Sequence, residues 1–313
     1  MDVSRIVAID IGGTKIASAL VTLGDGAPRV EHLASVPTEP ATGGSRVLGR
    51  VIESAERVLA AAGAADAVGV SSAGVVDPAT GAIVYANDIM PGWMGTPLGA
   101  VLEERIGLRT RVLNDVHAHA LGEARWGAGR TAASVLVAAV GTGIGGAFVE
   151  RGYIMLGAHG EAGHIGHVCC TDAAGVPCSC GAVGHLEPIA AGPGIIEEYL
   201  RLSGAEPGLD GAAVDALARR GDASACAAQE RAGRALGEVL GGICNMLDPE
   251  LVILSGSVAQ CGPAWSDALA SSFSHAAMPP VAGVPIVRGD LGGDAPLIGA
   301  AEHALRSAYI DVP

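Results

Sequence analysis

Between His159 and His185 the chain places His159, His164, His167, Cys169, Cys170, Cys178, Cys180 and His185, half of its nine histidines plus seven cysteines. Random placement would put about one or two there. The Gly-flanked segment CSCGAVGH offers a C-x-C pair followed by a histidine, which suits a tight metal-binding turn. His167, Cys178, Cys180 and His185 form a set of neutral nitrogens and thiolates suited to tetrahedral Zn²⁺. Four protein ligands leave no open position, so such an ion would be structural and would lock the 157–187 loop. Cys169 and Cys170 are rival ligands, and buried thiols beside surface histidines are the alternative without metal. Glu187, two residues past His185, would be fixed by a metal loop and could accept hydrogen bonds from ligand hydroxyls.

Two glycine-rich turns and two carboxylates form a second group. In IDIGGTK, Asp10 ends an apolar run, Gly12 and Gly13 make the turn, and Thr14 and Lys15 leave it. An acidic residue at such a strand end can hold Mg²⁺ through water while turn amides face phosphate oxygens. GTGIGG, from Gly141 through Thr142 and Gly143, supplies a second set of amides and a hydroxyl. Neither turn matches the Walker A pattern, and neither opens a helix as a dinucleotide fingerprint requires. Asp115 follows Asn114 at the end of the RVL run, just before a helical pattern. It is either a helix N-cap or a general base that takes a proton from an attacking hydroxyl, with Asn114 binding neighbouring hydroxyls. Ser71, Ser72, Gly74, Asn87, Asn114 and Asp115 cluster as small polar strand ends, which favours a polyol site at the carboxyl ends of strands.

These groups need a frame. Residues 5–21 and 134–150 each read as strand, glycine-rich turn and strand, so the chain resembles a duplicated design with two lobes. Strands at 67–74, 111–114, 250–256 and 283–290 alternate with helices at 45–62, 97–106, 116–128, 222–247 and 296–308, which indicates an α/β fold. No low-complexity linker divides the lobes. A boundary near 115 gives a first lobe of 1–115, joined by the last helix (296–313), and a second of 116–295 that carries the 157–187 loop.

The net charge of −14, from 33 acidic and 19 basic side chains, disfavours a polyanionic partner such as nucleic acid. Phosphate must then be held locally. Lys15 is the only lysine, and the arginine bias elsewhere follows coding composition. No window is apolar enough for a membrane span, the start lacks a signal peptide's pattern, and the odd cysteine count argues for a reducing, cytoplasmic setting.

DIGGTK, LND at 113–115, GTGIGG, GHIGH followed by CSCGAVGHLE, and LDPELVILSG at 247–256 together resemble the ROK family of sugar kinases and related repressors, over nearly the whole chain. That resemblance implies a two-lobed actin-like (ribonuclease-H-like) ATPase fold and ATP-dependent phosphorylation of the 6-hydroxyl of a hexose or N-acetylhexosamine. It makes Asp115 the base. Asn114, His167 and Glu187 become sugar ligands, while Asp10 and both glycine turns bind Mg–ATP. It puts Gly256 near the adenosine end, with Ser257 where glycine is common. Ten residues separate His167 from Cys178, one more than the family's usual nine. His164 stands where family glucokinases usually carry glutamate, and the GHIGH pattern is similar to bacterial N-acetylmannosamine kinases. N-acetylmannosamine is therefore the favoured substrate and glucose the alternative. Family repressors carry a DNA-binding segment before the first strand, whereas only a few residues precede it here. The family also implies a homo-oligomer, dimer or tetramer.

Overall fold

The computed structural model describes residues 3–86 and 90–306. From the amino end, β1 (Ser4–Ile11), β2 (Lys15–Leu23) and β3 (Arg29–Pro37) form a meander, followed by α1 (Gly44–Ala62) and β4 (Ala67–Ser72). A short hairpin of β5 (Val75–Val76) and β6 (Ile83–Tyr85) leads to α2 (Leu98–Ile106), β7 (Thr110–Asn114) and α3 (Asp115–Trp126). The pattern then restarts with β8 (Ser134–Val140), β9 (Ile144–Glu150) and β10 (Tyr153–Ile154). Beyond the His/Cys-rich loop come α4 (Glu187–Ala190), α5 (Gly192–Ser203), α6 (Gly211–Arg219), α7 (Ala223–Leu247), β11 (Leu251–Ser255), α8 (Pro263–Ala276), β12 (Ile286–Arg288) and α9 (Ala295–Leu305).

The duplication is explicit in the sheets. One has the order β3-β2-β1-β4-β7 and the other β10-β9-β8-β11-β12. Counted from its own first strand, each reads 3-2-1-4-5, the order of the ribonuclease-H-like fold. Parallel pairing of β1 with β4 and β4 with β7 aligns three carboxyl ends on one side of the first sheet. The hairpin at the start of each half was legible because its strands are long apolar runs, for example VAIDI and VLVAAV. The third strands were not: β3 alternates between exposed and half-buried positions and carries no continuous apolar signal. The expected 283–290 strand shrinks to Ile286–Arg288, at the sheet edge beside β11.

Contacts divide the chain into two compact units. The first takes residues up to Ala133, Ala147–Ala162 and Gly289 onward; the second takes Ser134–Gly146 and Gly163–Arg288. The 115 boundary expected from sequence falls inside the first. In that unit, Val47, Val51, Ala55 and Val58 on α1 and Leu98 and Leu102 on α2 pack with Val7, Ile9, Val68 and Val70 on one face of the sheet. On the other face α9 buries Leu297, Ile298, Ala301 and Ala304 against Ile6, Ala8, Ala19 and Val21. Helix α9 lies so close that a Cβ at Gly69 of β4 would strike the Ala300 carbonyl, and one at Gly299 the Ala118 carbonyl on α3. Glu123, fully buried, accepts N–H bonds from Ala128, Asp290 and Leu291, so both carboxyl oxygens find partners internally. These contacts hold α3, and with it Asp115, firmly against the sheet.

In the second unit α7 packs on α8 through Gly233, Gly237 and Gly241, spaced four residues apart. A Cβ at each would meet the Trp265, Leu269 or Phe273 carbonyl. The i, i+4 row of glycines forms a groove into which α8 settles.

Candidate active site and metal centre

Strand register alone assembles the first group. Asp10 on β1 pairs with Ser71 on β4, and Ser72 pairs with Asn114 on β7. Three adjacent strands thus carry polar side chains at or next to their carboxyl ends. Asn114 is the N-cap of α3: its Oδ1 accepts from Val116 N at 3.0 Å and His117 N at 3.2 Å. Its amide donates to the Gly74 carbonyl at 3.0 Å and to Asp115 Oδ1 at 2.9 Å. The capping role considered for Asp115 therefore belongs to its neighbour. A hydroxyl seeking Asn114 competes with bonds already made.

Asp115 sits at the first helical position, where its Oδ1 also accepts from Val116 N at 2.9 Å. Burial pushes its carboxyl up to about 6 and the charge on Asp10 adds to the rise, while the Val116 N–H and the Asn114 amide pull it back. Such a group is largely ionised at pH 7 yet more basic than an ordinary aspartate, the balance a general base needs. Asp10 is also raised by burial and pulled back by the Ser71 hydroxyl at 2.6 Å and by Lys15.

Gly74, with φ +99°, turns the chain after β4; an added Cβ would press the Tyr85 carbonyl at 2.7 Å. The segment before it is tied down by Ala73 N to the Ile11 carbonyl at 3.1 Å and by the Trp93 indole N–H to the Ala73 carbonyl at 3.2 Å. Asn87 lies outside the described residues. In the first glycine turn, Gly12 N donates to the Lys15 carbonyl at 3.0 Å, and the buried Thr38 donates its hydroxyl to the Gly12 carbonyl at 2.7 Å. Gly13, Thr14 and Lys15 are exposed, and a Cβ at Gly13 would meet nothing.

The second unit holds the other glycine turn. Gly141 N donates to the Gly143 carbonyl at 2.9 Å, and the Gly141 carbonyl accepts from Gly192 N at 2.8 Å, where α5 begins. Thr142 is exposed at the tip. Gly256, at φ +88°, lies where a Cβ would strike the Val140 carbonyl just before this turn, so β11 and β8 can end side by side only with glycine there. Glu187 Oε2 accepts from Ile144 N at 2.8 Å, and a Cβ at Gly143 would crowd that same oxygen at 2.8 Å. The residue after the His/Cys loop is thus hydrogen-bonded onto the glycine turn.

Among the described residues one His/Cys/acid cluster could hold a metal. The ligand atoms of His167, Cys178, Cys180 and His185 all lie within 4.8 Å of one another. His167 Nδ1 is 3.6 Å from Cys178 Sγ, and His185 Nδ1 is 3.2 Å from Cys180 Sγ. Usual Zn–S and Zn–N lengths in a tetrahedron place such donors about 3.6 Å apart. The donor chemistry and spacing fit that ion. Cys170 is buried, its thiol pushed up by burial, and Cys169 opposes His185 across a single β-bridge; neither joins the cluster. The loop is further fastened to α7, where Glu238 accepts from Thr171 N and Oγ1 and Arg234 pairs with Asp172 at 2.7 Å. His164 stacks near His167, ring centroids 6.2 Å apart.

Sequence reasoning overlooked Thr38, Trp93 and Gly192, which hold turns in place. Each acts through a bond to a residue far along the chain, and nothing local in the sequence marks them.

Two sheets of this order, each opening on a glycine-rich hairpin, define the class as an actin-like ATPase fold. The model for the ROK family matches residues 6–307, and the chain belongs to that family. It is 32% identical over 310 residues to a glucokinase from Halalkalibacterium halodurans, covering 94% of this chain and 92% of the relative. It is 33% identical over 254 residues to an N-acetylmannosamine kinase from Shigella flexneri, covering 81% of this chain and 83% of that one. The crystal structure of a ROK family glucokinase from Streptomyces griseus in complex with glucose and AMPPNP superposes with a TM-score of 0.81 at 28% identity, covering 97% of this chain and 100% of that one. No described helix is long and apolar enough to cross a membrane.

Proposed function

We propose that this protein is an ATP-dependent sugar kinase that phosphorylates the 6-hydroxyl of a hexose or N-acetylhexosamine. The observation that carries the reading is Asp115: a carboxylate raised to about 6, held at a strand end by the Asn114 amide and the Val116 N–H. The kinase names of relatives across most of the chain, and the nucleotide analogue AMPPNP bound by the Streptomyces griseus structure, support it.

Asp115 takes the hydroxyl proton as the sugar oxygen attacks phosphorus. Asn114 keeps the carboxylate aimed and, with Gly74, Asn87, His164, His167 and Glu187, binds sugar hydroxyls. Asp10 faces the nucleotide's metal, and the backbone amides of Gly12, Gly13, Gly141 and Gly143, with Thr14, Lys15 and Thr142, balance phosphate charge. Gly256, where β11 ends beside β8, lies near the nucleotide's adenosine end. Bound Mg²⁺ would supply further charge neutralisation, for which the oxygen donor of Asp10 is suited. His167, Cys178, Cys180 and His185 would hold a structural Zn²⁺, which supplies rigidity to the 157–187 loop. The lobe reading belongs to the same proposal: 1–115 joined by the carboxyl-terminal segment 296–313, and 116–295 with the loop. So do the dimeric or tetrameric state and the cytoplasmic setting.

N-acetylmannosamine is the favoured substrate. An imidazole at position 164 can donate a hydrogen bond where a carboxylate can only accept, which suits an acetamido carbonyl. A coupled ADP-release assay across N-acetylmannosamine, glucose, mannose, N-acetylglucosamine and allose tests the reading. Turnover with none of them overturns it, and highest kcat/KM with glucose overturns the N-acetylmannosamine preference alone.

A further inference from the structure

The strand ends contain one buried polar group whose partner is a site carboxylate and whose role no motif announces. Ser71 is fully buried on β4, the strand between β1 and β7. Register sets it opposite Asp10 on one side and Leu113 on the other, one residue short of Asn114. Its hydroxyl donates to Asp10 Oδ1 at 2.6 Å, a length typical of a hydroxyl bound to an ionised carboxylate. A hydroxyl has one proton to give, and here it goes to Asp10. The bond engages Oδ1 and restricts rotation of the Asp10 carboxyl, which leaves the second oxygen as the one a ligand would use. Burial alone disfavours the ionised form of Asp10, and the donated proton works against that. Asp10 therefore depends on Ser71 for orientation.

We infer that Ser71 is a positioning residue for the proposed phosphoryl transfer, orienting the Asp10 carboxylate toward the divalent cation that accompanies the nucleotide. This rests on the reading of Asp10 given above. Replacing serine with alanine removes one oxygen and leaves the strand, its ladder and its small side chain in place. The carboxylate is then free to rotate and loses a charge-assisted bond.

The test uses the full chain with AMPPNP present and Mn²⁺ as the probe, its free concentration read by electron paramagnetic resonance. Ser71→Ala is expected to weaken Mn²⁺ binding about tenfold and to raise the Mg²⁺ concentration needed for half-maximal turnover in step. The sugar KM should stay within about twofold, because Asp10 faces the nucleotide side. Ser71→Thr, which keeps the hydroxyl, should restore binding to within about threefold of the wild type. Mn²⁺ affinity unchanged in Ser71→Ala, even with a lower unfolding midpoint, would make Ser71 merely structural and overturn the inference. A wild type that binds no Mn²⁺ with AMPPNP overturns it together with the role given to Asp10. If the wild type binds Mn²⁺ but phosphorylates no sugar, the tenfold loss still supports Ser71 while the kinase reading falls.

Discussion

Replacing Asp115 with asparagine should make the protein more stable and nearly inactive, and the stability gain should depend on pH. The asparagine carbonyl can accept both bonds that Oδ1 now accepts, from Val116 N and the Asn114 amide, so the local geometry survives. The negative charge does not. The Asp115 carboxyl is raised from 3.8 to about 6 in the folded chain. Between those values the unfolded chain has already released its proton while the folded chain retains it, so stability falls as pH rises through this window. At about 1.4 kcal/mol per unit, holding the charge destabilises the fold by at most about 3 kcal/mol at pH 8, and by roughly half that at pH 5. Below pH 3.8 the effect vanishes. Urea unfolding of both proteins, followed by far-ultraviolet circular dichroism at pH 8 and pH 5, measures the difference directly. Asp115→Asn should gain most at pH 8, while kcat for the preferred sugar falls about 10²- to 10⁴-fold. A gain of equal size at both pH values, or none at pH 8, would refute the claim that the fold strains to keep this carboxylate ionised. A near-normal kcat would refute its role as base.

The same carboxylate sets a pH profile: kcat/KM should rise as Asp115 loses its proton and level off above about pH 6, and a flat profile from pH 5 to 8 would contradict this. Two glycine substitutions should separate folding from binding. Gly13→Ala adds a Cβ in open space and should leave stability within about 0.5 kcal/mol while raising the ATP KM. Gly256→Ala forces a Cβ onto the Val140 carbonyl at positive φ and should lower stability by about 1–3 kcal/mol in denaturant unfolding. Zinc should be found at one ion per chain by elemental analysis. Its removal by a strong chelator should expose 157–187 to hydrogen exchange and raise the sugar KM, and unchanged sugar affinity in verified zinc-free protein would exclude a loop-locking ion.

The legible parts of this fold were those that repeat or that concentrate unusual residues. Both hairpins announced themselves because an apolar strand, a glycine cluster and a second apolar strand occur twice. The cluster of His167, Cys178, Cys180 and His185 followed from density and from the C-x-C turn, and the same four ligand atoms converge in space. What escaped was long-range support. Thr38 acts from the end of β3, whose mixed burial hides it. Trp93 reaches back to Ala73 across a turn. The N-cap role was considered for Asp115 alone, yet asparagine caps helices as well as aspartate does, and residue types do not separate the two. Backbone geometry settled it, placing Asn114 in the extended region at φ −61° and ψ 149° and Asp115 in the helix.

The two kinds of glycine in these turns look identical in sequence and differ in what surrounds them. Gly256 has no room for a side chain because the Val140 carbonyl already occupies the space, and a Cβ at Gly143 would crowd Glu187 Oε2, the far end of a side chain that must shift to admit it. Gly13 has room and ordinary φ, so nothing within the fold forbids alanine there. A residue the fold does not require, at the tip of an exposed turn, is best explained by something that approaches from outside. Gly143 adds a consequence of its own. Its missing side chain is what lets Glu187 reach Ile144 N, and Glu187 stands two residues past His185 of the His/Cys cluster. A ligated His167 Nδ1 would leave Nε2 for a second partner. The His/Cys loop is therefore joined to the Gly141–Gly143 turn at one end by Glu187, and it carries the His167 imidazole at the other. An ion bound in the loop would fix both groups at once, which is why its loss should weaken sugar binding before it lowers the stability of either sheet.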